Sequence, residues 1–474
     1  MSVEPAVRTA DDPGEDRRPD PPGARAAAAS LRPLVLRLHF YAGVLIAPFL
    51  LIAALTGLLY AASYQAEKIV YADELRVPVG GAELPVSAQV DAARRAHPQG
   101  EISAVRPSPE DGATTRVLLS GVPGVEAGHT LAVFVNPYTG EVAGALEQYG
   151  TSGALPLRTW IDELHRDLHL GQPGRLYSEL AASWLWVITA GGLVLWFGRR
   201  RARRRVRGAT GRRRTLSLHG TVGVWAAAGL FFVSATGLTW STYAGQSVTD
   251  LREAVGQSTP AVSAGVATGG EHAGHAGHMG SGGSAVAPGA DVGLDAVLEA
   301  ARAERLSDPV EIVPPADASS GYVVSQIQRS WPEKQDAVAV DPATGEVTDV
   351  VRFADYPVLA KLTRWGIDAH TGVLFGLVNQ LVLMALCAGL ILLIVLGYRM
   401  WWQRGRGSAF GRPLPRGAWQ KVPPLLLVPL IAGVAVLGYF VPLLGIPLAG
   451  FLALDVLLGE YAYRRGRRTY ADAR

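Results

Sequence analysis

Cysteine is almost missing: Cys387 is the single one in 474 residues. A disulfide within the chain is therefore excluded. Because Cys387 lies in an apolar run, it reads as a small apolar residue rather than a thiolate nucleophile. No GxGxxG follows a strand, so nothing indicates a nucleotide or flavin site. Charge is also scarce, at 18% of residues with a net of +3, and no nucleic-acid partner is expected. Nor is a cleaved leader expected, since the first apolar run is too long for one and begins too late. Arg17-Arg18 runs into acidic and proline-rich sequence, which argues against a twin-arginine address.

Apolar residues are abundant, at 49% of the chain, and unevenly distributed, which favours membrane spans with attached extramembrane domains. One stretch occurs twice. Residues 38–58, LHFYAGVLIAPFLLIAALTGL, return as 218–238, LHGTVGVWAAAGLFFVSATGL. His39 precedes Thr56 by 17 positions and His219 precedes Thr236 by the same 17. At about 1.5 Å per residue, each copy puts a histidine near one membrane face and a Thr-Gly pair roughly 25 Å away.

Ten arginines fall among the sixteen positions 199–214, and loops of this kind stay cytoplasmic. From that anchor the chain divides into a disordered cytoplasmic tail (1–31), a first span (32–64), an extracytoplasmic α+β domain ending in an amphipathic helix (65–175) and a second span (176–198). An Arg-rich loop (199–216), a third span (217–241), a Gly/Ser/His-rich linker (242–290), a second extracytoplasmic domain (291–370) and a fourth span (371–399) follow. A cytoplasmic loop (400–421), a hairpin of two spans (422–459) and a cytoplasmic tail (460–474) complete it. Both termini are thus expected inside a multi-pass plasma or inner membrane protein. Within the domains, helices are expected near Val86–Ala96 and Leu294–Arg302. Strands are expected near Ile102, Val117, Leu131–Val135, Val310, Val323 and Val338. The turns Asn136-Pro137-Tyr138-Thr139-Gly140 and Asp341-Pro342-Ala343-Thr344-Gly345 echo each other.

The register between the halves selects particular residues. Span copies are offset by 180 positions (His39 to His219) and turn copies by 205 (Asn136 to Asp341), the linker supplying the 25 extra residues. Carried onward, 205 pairs His165 with His370 and Trp160 with Trp365, whereas His169 falls opposite Leu374. Each half crosses the membrane twice, so the copies share an orientation and a pseudo-twofold axis along the membrane normal relates them. The expected fold is an α-helical membrane protein with a pseudo-twofold four-helix bundle, two extracytoplasmic α+β domains and a C-terminal transmembrane hairpin. His39 would then face His219, and His165 would face His370.

An imidazole buried in apolar sequence needs a partner. A protoporphyrin gripped by two opposed imidazoles suits the pattern, with Gly43 and Gly223 one turn away letting a flat ring approach the backbone. Helix capping, or hydrogen bonds to carbonyls at the interface, is the plainer reading of the same histidines. A bare Zn or Cu ion fits less well, because no carboxylate or thiolate recurs in register.

The Leu-His starts, the Thr-Gly ends, the run LHRDLHLG and the two Pro-x-Thr-Gly-Glu-Val turns resemble the PepSY-associated transmembrane family, which includes iron-regulated membrane proteins and ferric-siderophore reductases. The likeness covers about residues 32–400. It implies two b-type haems, with His39, His165, His219 and His370 matching the family's histidines and His169 an alternate ligand or substrate-side group. It also implies a haem-dependent metalloreductase in which electrons pass from a cytoplasmic donor or quinol, across the lipid bilayer, to a ferric chelate of siderophore type. PepSY-type modules also occur in protease propeptides, so a membrane-anchored binding or protease-inhibitory module without redox activity is the competing reading.

His272, His275, His278 and Met279 sit in the linker beside Glu271. Such a tract can hold Cu or Zn, which would make this a copper-handling protein, and low-complexity drift gives the same spelling. Asp455, inside the last apolar run, reads as a proton or ion path or as a helix end facing water. Trp160 and Trp365 read as interfacial anchors.

Overall fold

The computed structural model describes residues 24–198, 210–265, 291–317, 319–403 and 424–471. The His-rich tract at 272–279 and most of the Arg-rich loop lie outside the described residues, and so does the tail before residue 24.

Helix α1 (Ala24–Leu45) begins inside the segment expected to be a disordered tail, where four consecutive alanines supply high helix propensity. It gives way at Ile46 to α2 (Ala47–Val70). The first span is therefore two helices, with His39 on α1 and Thr56 on α2. Pro48, in the first turn of α2, has no N–H to continue the α1 ladder. The short α3 (Ala72–Leu75) and α4 (Val86–Ala96) come next. After them run β1 (Glu101–Arg106), β2 (Thr115–Ser120), β3 (His129–Val135) and β4 (Val142–Tyr149). Helix α5 (Pro156–Asp167) ends earlier than expected, because Leu168 and His169 both adopt positive φ. The second span, α6 (Gln172–Phe197), starts with proline in its first turn.

The second half repeats this order with differences. Helix α7 (Gly211–Leu238) is followed by α8 (Tyr243–Ala254), which occupies the start of the segment read as a linker. Then come α9 (Gly293–Ala303), β5 (Val310–Val313), β6 (Tyr322–Gln326), β7 (Ala337–Val340) and β8 (Val347–Val351). A 3-10 turn (Phe353–Asp355), α10 (Val358–Thr371) and α11 (Gly376–Trp402) complete the half. Helices α12 (Pro424–Phe440) and α13 (Pro442–Ala471) form the C-terminal hairpin. Five described helices are long and apolar enough to cross a membrane: α2, α6, α7, α11 and the Pro442–Tyr461 part of α13. Helix α12, with 17 residues, is the shorter arm of the hairpin and lies at the lower end of the length that spans a bilayer.

The two expected α+β domains are one body. All eight strands make a single antiparallel sheet in the order β4-β3-β2-β1-β5-β6-β7-β8. The seam lies between β1 and β5, at Val105 opposite Ile312. Each half would otherwise expose a strand edge, and the two edges satisfy each other. Helices α4 and α9 cover the same face, over a core that includes Val105, Val117, Val133, Ile312, Val324 and Val338. Asp295 of α9 accepts from the Val86 and Ser87 amides at 2.6 and 3.3 Å, so the second half caps a helix of the first.

The echoed turns fold alike. Asn136 Oδ1 accepts from the Tyr138 amide at 2.9 Å, and Asp341 Oδ1 from the Ala343 amide at 2.7 Å. Gly140 and Gly345 stand at φ 74° and 73°, a conformation that glycine takes without a Cβ clash. Below the sheet, α2, α6, α7 and α11 contact one another in a ring, α2 on α6, α6 on α7, α7 on α11 and α11 back on α2. Apolar residues fill the middle, among them Leu50, Leu185, Leu230 and Leu393.

Candidate functional site

His39 of α1 and His219 of α7 approach across this ring of helices with their ring centres 6.3 Å apart. Each is tethered in the same way. His39 Nδ1 lies 2.9 Å from the Ile188 carbonyl on α6, and His219 Nδ1 lies 3.1 Å from the Leu393 carbonyl on α11. The offset from Ile188 to Leu393 is again 205, so the tethers are as duplicated as the histidines. A carbonyl only accepts, so each Nδ1 carries the proton and each Nε2 keeps its lone pair.

The second pair lies nearer the sheet. His165 of α5 meets Thr56 Oγ1 at 2.9 Å, and His370 of α10 meets Thr236 Oγ1 at 2.8 Å. Both hydroxyls also donate to a carbonyl one turn back, Ile52 at 2.9 Å and Phe232 at 2.7 Å. Each hydroxyl has one hydrogen, already given away, so the imidazole Nδ1 must be the donor and Nε2 is again left with its lone pair. His165 and His370 are close enough for charge on one to be felt by the other. Gly57 and Gly237 follow the threonines, and a Cβ on either would come within 3.2 or 3.3 Å of the neighbouring imidazole carbon. The glycine of each Thr-Gly pair makes room for the ring.

Four imidazoles with Nδ1 fixed and Nε2 bare share the arrangement of metal-ligating histidines, in which a tether on the second nitrogen sets tautomer and orientation. With metal–nitrogen bonds of about 2.0 Å and about 1.1 Å more to the ring centre, two imidazoles facing each other across one metal would have centres about 6.2 Å apart. The separation of His39 and His219 fits that arrangement. No group of three or more His, Cys, Asp or Glu able to hold a metal occurs among the described residues. Two imidazoles at one site are a donor set that would suit a metal bringing its other ligands with it, as an iron porphyrin does.

A family model described as the PepSY-associated TM region matches residues 36–404. The chain belongs to this PepSY-associated transmembrane family. No curated protein is similar enough to count as a relative. With its five candidate spans, this PepSY-associated protein is a multi-pass membrane protein, and the match reaches from before His39 to beyond α11 while leaving the C-terminal hairpin outside.

Other expected residues fall elsewhere. His169 packs on Trp160 with ring centres 5.1 Å apart, and its Nδ1 lies 3.3 Å from Glu163. It has none of the tethers of the four. Gly43 faces open space and Gly223 meets Leu393. The glycines against the inner rings are instead Gly191 and Gly192 beside His39, and Gly397, 205 positions after Gly192, beside His219. Trp160 is exposed, whereas Trp365 packs between Trp331 and Phe353, so the pair are not equivalent anchors. Asp455 is not a solvated helix end. It takes Arg37 Nε at 2.9 Å and Nη2 at 2.7 Å, clamping α13 to α1 two residues before His39. Sequence reasoning missed Arg37, although a single arginine inside the first apolar run was the signal.

The aromatic neighbours of the outer histidines were missed as well. Tyr60 stacks on His165 at 6.4 Å and 25°, and Trp240, 180 positions later, stands edge-on to His370 at 5.8 Å.

Proposed function

We propose that the protein is a di-haem transmembrane electron conduit, with a pseudo-twofold bundle of its two halves, that reduces a ferric chelate outside the cell and so serves iron acquisition. His39 and His219 would hold one b-type haem and His165 and His370 the other. Bound there, the haems would supply reversible one-electron Fe(III)/Fe(II) chemistry. The observation that carries this reading is the repeated tether: four imidazoles in two register-matched couples, each with Nδ1 engaged and Nε2 bare.

The chain's own groups set the conditions. The Ile188 and Leu393 carbonyls orient the inner rings, and Thr56 and Thr236 orient the outer ones. Leu50, Leu185, Leu230 and Leu393 keep water from the space between the two levels. Arg-rich segments after α6 and α11 would lie in the cytoplasm, with the sheet outside. The donor is then a cytoplasmic protein or a quinol, and the acceptor is a ferric complex whose grip weakens once its metal becomes Fe(II).

The test is the visible spectrum of detergent-purified protein, oxidised and then dithionite-reduced. The expected result is a red protein with a low-spin b-type spectrum and about two haems per chain, since each pair of imidazoles would hold one. His39→Ala and His370→Ala should each remove roughly one haem. A colourless protein, or full haem content in both variants, would sink the proposal.

A further inference from the structure

The two halves match at the inner histidines and diverge at the outer ones. In the first half α2 runs straight past Tyr60 to Val70. Tyr60 is half-buried under a cover: its hydroxyl lies 3.3 Å from Tyr64, the Arg158 guanidinium sits 4.6 Å over the Tyr64 ring, and buried Glu67 holds Arg158 at 2.8 Å. The equivalents of Tyr64, Glu67 and Arg158, by the same offsets of 180 and 205, are Ala244, Ser247 and Thr363. None can build that cover.

The second half is opened instead. Helix α7 stops at Leu238, and the chain turns away into α8. Buried Glu179 of α6 fixes the turn by accepting from the Tyr243 and Ala244 amides at 3.0 and 2.9 Å. Trp240 is left 42% exposed at the break while its ring still meets His370. Beside it lies an open groove of about 460 Å³ between the start of α6 and α8, lined by Gln172, Arg175, Ser241, Gln246 and Thr249. Arg175 reaches the Trp240 carbonyl at 3.0 Å. Among the described residues its lining carries one guanidinium, several amides and hydroxyls, and no carboxylate.

We propose that this groove is where the electron acceptor docks, that the acceptor is an anionic, oxygen-rich ferric chelate, and that Trp240 is the contact between it and His370. A guanidinium among hydroxyl and amide donors suits carboxylate or catecholate oxygens. The volume is that of an ordinary small-molecule site. The inference rests on the di-haem reading and adds the exit. One electron per ferric ion arrives from the quinol or reduced protein on the opposite face, Fe(III) becomes Fe(II), and no covalent bond in the protein forms or breaks. The Tyr60 side carries the Tyr64–Arg158 cover instead, which places the proposed exit in the second half.

The full-length protein with its cofactor is used for the test. Binding is read as quenching of tryptophan fluorescence by gallium citrate, which cannot be reduced. Transfer is read as the rate at which ferric citrate reoxidises the dithionite-reduced protein. Arg175→Gln should weaken gallium citrate binding about tenfold, the scale of one charged hydrogen bond. Trp240→Leu should abolish the quench and slow reoxidation at least tenfold, with haem content and spectrum unchanged. Arg94→Gln, an exposed change on α4, should alter neither. Wild-type binding and rates in both groove variants, or equal slowing by Arg94→Gln, would overturn the groove while leaving the di-haem reading standing. A colourless protein overturns both.

Discussion

Arg106 Nε donates to Glu311 across the seam of the sheet at 2.6 Å, beside the point where Val105 of the first half faces Ile312 of the second. The ion pair therefore ties the two halves together at the joint that sets their relative placement. Opposite charges meet here, and the sheet closes where like charges would have repelled.

Losing this contact should loosen the joint between the halves. Both side chains are mostly buried, and an unpaired charge there costs about 1–3 kcal/mol. Arg106→Ala and Glu311→Ala should each lower the melting temperature in detergent, and the exchange Arg106→Glu with Glu311→Arg should recover most of it. Wild-type melting in the single variants would remove the pair from the account.

Thr56 and Thr236 should tune the outer site without being needed to fill it. A hydrogen bond at Nδ1 makes the imidazole a stronger donor and favours the oxidised metal. Thr56→Val should therefore keep haem content near wild type while raising the midpoint potential of one of two redox transitions. Potentiometric titration checks this, and an unchanged potential would mean that the hydroxyl only packs.

Arg37 and Asp455 should hold the hairpin to the first span. Arg37 is 3% exposed, and removing one member of a buried pair costs on the order of 3–5 kcal/mol. Arg37→Ala should make α12 and α13 more open to limited proteolysis, whereas Arg37→Met combined with Asp455→Leu should be milder because no charge stays buried. Equal protease resistance in wild type and Arg37→Ala would contradict the clamp.

Stability should fall as pH rises from about 5 to 7 because of Glu333. Burial pushes its carboxyl up to about 7 from the ordinary 4.5, and nearby Asp368 adds to this against the opposing bond from Arg364. The folded state therefore holds a proton that the unfolded chain has released, so unfolding is favoured through that window and levels off above it. Glu333→Gln should flatten melting temperature against pH between 5 and 7. A slope equal to wild type would place the titration elsewhere.

Much of this was legible in the sequence because it was local or repeated. Helix Val86–Ala96 lies where its pattern put it, and the register offset alone separated His165 from His169. The Thr-Gly pairs were visible as a motif, but their task, a hydroxyl to grip the ring and a glycine to clear it, needed coordinates. What stayed hidden was long-range. Periodicity says that β1 and β5 are strands but not that their edges join across more than 200 residues. Nothing near Asp455 in the sequence names Arg37. Helix α8 was lost in a polar segment because its capping carboxylate, Glu179, lies on another helix.

The shared sheet also bears on how such a chain could arise. A single half, cut at the seam, would present a bare strand and two lone imidazoles, and both would be satisfied by a second identical half turned about the axis. The ancestor implied is a symmetric dimer in which the same imidazoles already met. Fusion of two gene copies then freed each to vary alone, and Tyr60 and Trp240 record that the freedom was used.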